Sequence, residues 1–121
     1  MDPRVRRVMD TMDAQLHTHV SIADLAASVG LSVSQLARLF REAIGTTPRA
    51  HLHALRMARA RTLVERTSLS IAEIMSQVGI ADPSHFARDF RRAHGASPRA
   101  LRQELRWAVR GEGVAPCGRR G

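Results

Sequence analysis

The chain says nearly the same thing twice. Ser21-Ile22-Ala23-Asp24-Leu25, followed by Val29-Gly30-Leu31, returns 49 positions later as Ser70-Ile71-Ala72-Glu73-Ile74 and Val78-Gly79-Ile80. One residue is then inserted. At an offset of 50, Ser34, Ala37, Arg38, Phe40, Arg41, Ala43, Gly45, Pro48, Arg49 and Ala50 recur as Ser84, Ala87, Arg88, Phe90, Arg91, Ala93, Gly95, Pro98, Arg99 and Ala100. That many identities in register mark a duplicated unit, and a period of this length is one supersecondary module. Whatever the chain folds into, it must contain the same short motif twice.

Each unit reads as helix, tight turn, helix. In the first, Ser21 and Asp24 resemble a capping box with Asp in place of Glu, and Ile22, Leu25, Ala26 and Val29 follow at helical spacing. Gly30 stands where a left-handed stop residue belongs. Ser32 and Gln35 make a second capping-box pattern, which opens a helix with the apolar stripe Leu36, Leu39, Phe40 and Ala43 and the stop Gly45. The second unit repeats this with Ser70/Glu73, Gly79, an N-cap Asp82 before Pro83, the stripe Phe86, Phe90 and Ala93, and Gly95. Pro3, Pro48, Pro83 and Pro98 each follow Asp, Thr or Ser, the arrangement of a helix start.

Around the two units the spacing predicts a leading helix over about residues 3–18 (Val5, Val8, Met9, Met12, Leu16). A connecting helix runs from Pro48 to about Arg66 with Leu52, Leu55, Ala58 and Leu63 inward. A closing helix spans about 98–109 with Leu101, Leu105 and Ala108 inward. No strand-like alternation of any length is present. The expected fold is all-α, with about seven helices: two tandem helix-turn-helix subdomains joined by a long linker helix. The division is 1–47, 48–67 and 68–110, and a Gly/Pro/Arg-rich tail at 111–121 is expected to be disordered.

Composition narrows the chemistry. In 121 residues, nineteen basic side chains, every one of them Arg, face eleven acidic ones, for a net charge of +8. Most of the excess lies from Arg38 onward. Such a balance favours a polyanionic partner, since counterion release drives such binding. No membrane-spanning run occurs, the stretch Met1-Asp2-Pro3-Arg4 lacks the apolar core of a signal peptide, and the single Cys117 fits a reducing compartment, so a cytoplasmic, nucleoid-associated protein is expected. The acids are scattered, without a phosphate loop or nucleophile–base pair, so no enzyme activity is expected. The pairs His17/His19 and His51/His53 suggest metal only superficially: on a helix, neighbours two apart face about 200° away from each other. No metal or cofactor is expected.

The second helix of a helix-turn-helix enters the DNA major groove. Here Ser34, Ala37, Arg38 and Arg41 share the face opposite the core stripe, at i, i+3, i+4 and i+7. Ser84, Ala87, Arg88 and Arg91 repeat that face. An ordinary solvated surface has no reason to keep the same residues in both copies while others diverge. Arg can fork to guanine and Ala can meet a thymine methyl. Ser at the helix start, with free backbone N–H groups, suits a phosphate. Gln35 and His85, at matching positions, are candidates for base or backbone contact, and Arg92 and His94 for phosphate. The small residue expected four positions before the turn glycine is Ala26 in the first unit but Met75 in the second, so a different helix crossing is anticipated there. The competing reading is a protein-interaction module with an arginine face for an acidic partner. A connecting helix of about 19 residues spans about 28 Å, near the ~34 Å repeat of the major groove on one side of B-DNA. Two recognition helices on one chain would then meet an asymmetric, direct-like pair of half-sites.

The run Gly79-Ile80-Ala81-Asp82-Pro83-Ser84-His85-Phe86-Ala87-Arg88-Asp89-Phe90-Arg91-Arg92-Ala93-His94-Gly95-Ala96-Ser97-Pro98, with Leu101-Arg102 after it, resembles the signature of AraC/XylS-type transcriptional regulators. Ile80 replaces the usual Phe and Leu101 the usual Tyr. The resemblance extends over about residues 3–107. It implies sequence-specific double-stranded DNA binding by two helix-turn-helix subdomains, in an activator or repressor that works with RNA polymerase. It places the recognition positions at Ser34, Ala37 and Arg38 and at Ser84, Ala87 and Arg88, with Arg38 foremost. Most such regulators carry an effector-binding or dimerisation domain ahead of this one. The chain is then either a naturally short member or an excised C-terminal domain; the second is expected, with any effector acting through a domain absent from it.

Overall fold

A computed structural model describes residues 1–109, so the expectation of a disordered tail at 111–121 lies outside the described residues. Seven helices follow one another: α1 Pro3–Ala14, α2 Ile22–Ser28, α3 Val33–Ile44, α4 Pro48–Arg66, α5 Ile71–Gln77, α6 Pro83–His94 and α7 Pro98–Val109. Among the described residues there is no strand. The four prolines named above each open a helix, because a residue with no N–H loses nothing in a first turn. The leading helix is shorter than its spacing suggests: it stops at Ala14, and Leu16 reaches the core from the turn that follows.

The helix starts are capped largely as the sequence indicates. Ser32 and Gln35 make a reciprocal capping box, as do Ser70 and Glu73. Ser21 accepts from the Asp24 N–H at 3.2 Å, but the return bond is missing from the described contacts. The Asp side chain is one methylene shorter than Glu, and that shortfall accounts for the half-made box. Both turns close in the same way. Leu31 N–H donates to Ala26 O and Gly30 N–H to Ala27 O, and Ile80 to Met75 O and Gly79 to Ser76 O repeat the pair. This is the Schellman arrangement, which needs a left-handed residue, and Gly30 and Gly79 supply φ of 74° and 73°. Met75 keeps this turn unchanged and buries its side chain beneath it, where Ala26 serves in the first unit.

The interior is two cores strung on one helix. The first gathers Val5, Val8, Met12, Leu16, Leu25, Ala26, Leu36, Phe40 and Leu52 from α1 to α4. The second gathers Met57, Ala60, Val64, Ile74, Met75, Val78, Phe86 and Phe90 from α4 to α6, with Leu101 of α7 against it. Helix α4 thus serves both, which corrects the single inward stripe expected of it. Leu52 and Leu55 face the first core, whereas Met57, Ala60 and Val64 face the second and Ala58 is exposed. At about 100° per residue the two faces are rotated by roughly 130°. Two smaller corrections follow the same logic. Ala43, Ala93 and Ala108 are exposed rather than inward. Ile44 packs against the first core instead of Ala43, and half-buried His94 takes the matching place in the second unit.

Arg102 ties the second unit together. Its guanidinium donates to the carbonyls of Leu63 (3.4 Å), Val64 (3.3 Å), Thr67 (3.1 Å) and Leu69. Leu63 O already accepts from the Thr67 N–H, but Val64, Thr67 and Leu69 lie at the end of α4 and in the loop beyond it, so one side chain from α7 supplies donors where the helix has run out of its own.

Candidate nucleic-acid interface

Helix α3 buries Leu36 and Phe40, and this fixes which side of it is wet. Ser34, Gln35, Arg38 and Arg41 are exposed, and Ala37 is half-buried at the margin of the same face. Helix α6 buries Phe86 and Phe90, whose rings lie 5.8 Å apart, and exposes Ser84, His85, Ala87, Arg88, Arg91 and Arg92. All eleven candidate residues therefore reach the surface on the second helix of a unit.

The two copies differ in charge. Arg38 Nη1 lies 3.9 Å from Glu42 Oε2, one turn on, with both side chains more than 60% exposed. The residue at the corresponding place in α6 is Arg92, so Arg88 lacks the acidic neighbour one turn on that Arg38 has. An exposed pair one turn apart contributes only a few tenths of a kcal/mol, weak enough to open for a better anion. Arg41, Arg91 and Arg92 sit in the last turns of their helices, where a cation also complements the helix dipole. Arg38 and Arg88, placed mid-helix, gain nothing comparable. Glu42 was not apparent from the repeat, since it is a position where the copies disagree.

Several helix-start donors expected for phosphate are occupied. Asp82 Oδ1 accepts the N–H groups of Ser84 (2.9 Å) and His85 (3.2 Å), and the Gln35 N–H donates to Ser32 Oγ at 3.1 Å. The Asp82 carboxyl is held below the usual carboxylate range, first by the His85 N–H bond. The capping side chains took these donors because they lie two or three residues away, ahead of any external anion. Gln35 Oε1 is likewise turned back to the Ser32 N–H at 2.9 Å, which leaves its amide N–H groups for other partners.

The histidines have structural employment. His94 Nε2 donates to Met57 O at 3.0 Å and its ring meets Phe90 edge-on at 4.6 Å, so it braces α6 on α4 instead of facing phosphate. His51 stacks edge-on with Phe40 at 5.3 Å, and His53 Nε2 lies 3.8 Å from Asp89 Oδ2 of α6. His17 and His19 lie in the turn after α1, not on the helix, so the 200° separation expected of a helical pair does not apply to them. Among the described residues no three His, Cys, Asp or Glu side chains converge as a metal site. No helix of the described residues is long and apolar enough to cross a membrane.

Two helix-turn-helix units on a shared rod, each exposing an arginine-bearing second helix, define a bipartite helix-turn-helix DNA-binding domain. Known proteins agree. A family model described as a helix-turn-helix domain matches residues 25–104. The HTH-type transcriptional regulator GbdR of Pseudomonas aeruginosa is 35% identical over 101 residues, covering 84% of this chain and 28% of that protein. The transcriptional activator NphR of a Rhodococcus species is 38% identical over 99 residues, covering 81% and 29%. Among solved structures, an AraC-type DNA-binding-domain regulator from Chromobacterium violaceum superposes with a TM-score of 0.78 at 34% identity, over 85% of this chain and 92% of that one. The DNA-binding domain of AdpA, solved in complex with a target DNA, gives 0.80 at 28% identity over 88% and 95%. The chain belongs to the AraC/XylS family of transcriptional regulators and is a DNA-binding domain of that family. It spans less than a third of the length of these two relatives.

Proposed function

We propose that the chain reads an operator in double-stranded DNA by laying α3 and α6 in successive major grooves. The observation that carries this is the repeated exposed face, Ser-x-x-Ala-Arg-x-x-Arg, on the second helix of both units. Arg38 and Arg88 are the base readers, with Ala37 and Ala87 beside them for apolar contact. Arg41, Arg91 and Arg92 hold phosphates, and Ser34, Ser84, Gln35 and His85 line the entry of each helix through their side chains. The 19 residues of α4, about 28 Å long, suit the ~34 Å groove repeat. Regulation of transcription, contact with RNA polymerase, association with the nucleoid and control by an effector domain outside this chain belong to the same reading. The names of the regulators it resembles support the first of these.

The test is a titration of duplex DNA, selected from a randomised pool by the wild-type chain, at two salt concentrations. Arg38→Ala is expected to weaken selected DNA by about 1–3 kcal/mol and to relax discrimination at one base pair. Arg91→Ala or Arg92→Ala is expected to weaken all duplexes alike and to reduce the salt slope by about 1. If heparin competes as well as the selected duplex and Arg38→Ala changes nothing, the arginine face serves an acidic partner of another kind.

A further inference from the structure

The turn glycines of the two units have identical φ values to within a degree but different surroundings. A Cβ at Gly30 would meet nothing within 4 Å, whereas a Cβ at Gly79 would lie 2.3 Å from Leu16 O and 3.1 Å from both Thr18 O and Arg56 Nη2. Leu16 and Thr18 belong to the first subdomain, Gly79 is the turn of the second, and Arg56 comes from the helix between them. The Arg56 guanidinium donates from Nη2 to Thr18 O at 2.9 Å and is partly buried, and its Nε finds no acceptor among the described residues. The repeat sharpens its meaning. Thr18 corresponds to Thr67, whose carbonyl accepts from Arg102 in the second unit, yet Arg102 does so from inside its own subdomain. Arg56 instead takes the Thr18 carbonyl from the shared helix, with its guanidinium beside the Gly79 turn of the other subdomain.

The contact is narrow. Open clefts of about 590 Å³ and 400 Å³ flank it, the one beside His19 and Ile80, the other beside Asp13 and Gln77. An exposed Arg59–Asp13 pair at 3.5 Å is the ion pair bordering the second cleft. A helix such as α4 sets the separation of the two units along its axis. Through the different faces it lends to the two cores it also sets their approximate rotation, and what rotational play remains must be taken up where the units meet. A backbone-to-backbone approach that admits only glycine, pinned by one guanidinium, removes that freedom. We propose that Arg56 and Gly79 are positioning residues that fix the rotation of one recognition helix relative to the other, and so determine which spacing of half-sites the protein accepts. This rests on the DNA reading above.

The probe is the selected duplex with zero, one or two base pairs inserted between its halves, together with a duplex whose second half is scrambled. One inserted pair rotates the second half by about 35°. The wild-type chain is expected to lose at least about tenfold in affinity on that insertion, and Arg56→Ala or Gly79→Ala about threefold or less. Affinity for the scrambled duplex should stay within about twofold of wild type in both variants. An insertion penalty as steep in Arg56→Ala as in wild type overturns the proposal, as does an equal loss on every duplex. Circular dichroism qualifies each variant. If Arg56→Ala does not fold, Arg56→Gln, which keeps part of the stem but cannot reach Thr18, decides by the same criteria. A second measurement needs no DNA: spin labels at Ala43→Cys and Ala93→Cys, in Cys117→Ser, report the distance between α3 and α6. Its distribution should broaden in Arg56→Ala, and an unchanged distribution refutes the clamp. A chain that selects no duplex while the distribution broadens refutes the DNA reading and leaves the clamp standing.

Discussion

Arg38 and Arg102 are the same side chain put to opposite uses. Arg38 stands in water beside an exposed Glu42, so little energy is committed in the free protein and its guanidinium is free to exchange partners. Removing that neighbour should help: Glu42→Gln is expected to tighten duplex binding by about two- to fivefold at low salt, less at high salt, as screening predicts. Equal tightening at both salt concentrations would mean that Glu42 acts otherwise. Arg102 spends its donors on four backbone carbonyls of one junction. Its truncation leaves those acceptors partly unsatisfied, and Arg102→Ala is expected to lower stability by about 2–3 kcal/mol in urea melts. Arg102→Lys should recover less than half, because an ammonium lacks the planar fork that spans several acceptors.

Among the helices, the caps decide where each recognition helix begins and what its first turn has left to offer. The starts of α5 and α6 carry carboxylates, Glu73 as the N3 partner of the Ser70 cap and Asp82 as the N-cap itself. Glu73 is held below its ordinary value by its bonds with Ser70, and Asp82 by the His85 N–H first. The folded pKa of each is lower than the unfolded one. Their contribution is therefore complete above the ordinary carboxylate range and is lost as pH falls through the lowered folded values. The double variant Glu73→Gln/Asp82→Asn should flatten the fall in stability between about pH 5 and 3, followed by melting temperature across that range. An unaltered pH profile would show that other groups govern acid unfolding. Asp82 has a second effect, since its charge sits where phosphate would approach α6. Asp82→Ser keeps a cap while removing that charge, and is expected to strengthen binding to duplexes of any sequence.

The whole molecule is two cores on one helix, and its stability should divide accordingly. Phe40 and Phe90 are each fully buried, one in each core. Phe90→Ala is expected to cost about 3–5 kcal/mol. In native-state hydrogen exchange it should deprotect α5, α6 and α7 well before α1, α2 and α3. Phe40→Ala should do the reverse. Equal deprotection of both halves by either variant would make the molecule a single cooperative unit despite its two interiors.

Most of this architecture is legible in the amino-acid sequence, because duplication supplies a built-in comparison. Helix starts at four prolines, stops at glycines and the exposed Ser, Ala and Arg positions all depend on residues close in sequence, where capping and periodicity act. What escaped depends on residues far apart in the chain. That α4 turns different faces to two cores is decided by which helices pack on each end, so its own pattern blurs into no single stripe. That His94 braces Met57 O, and that Ala43 yields its place to Ile44, follows from how α6 and α3 lie against α4. Neither the demand that Gly79 be glycine for the sake of Leu16 O, nor the reach of Arg56 to Thr18 and of Arg102 to four carbonyls, has a local signature. The sequence by itself determined two helix-turn-helix units and the face each presents, since three or four neighbouring residues are enough to cap, turn and polarise a helix. Only the tertiary structure decided how the units are held to one another, since that rests on backbone carbonyls, which every residue carries and no sequence pattern distinguishes.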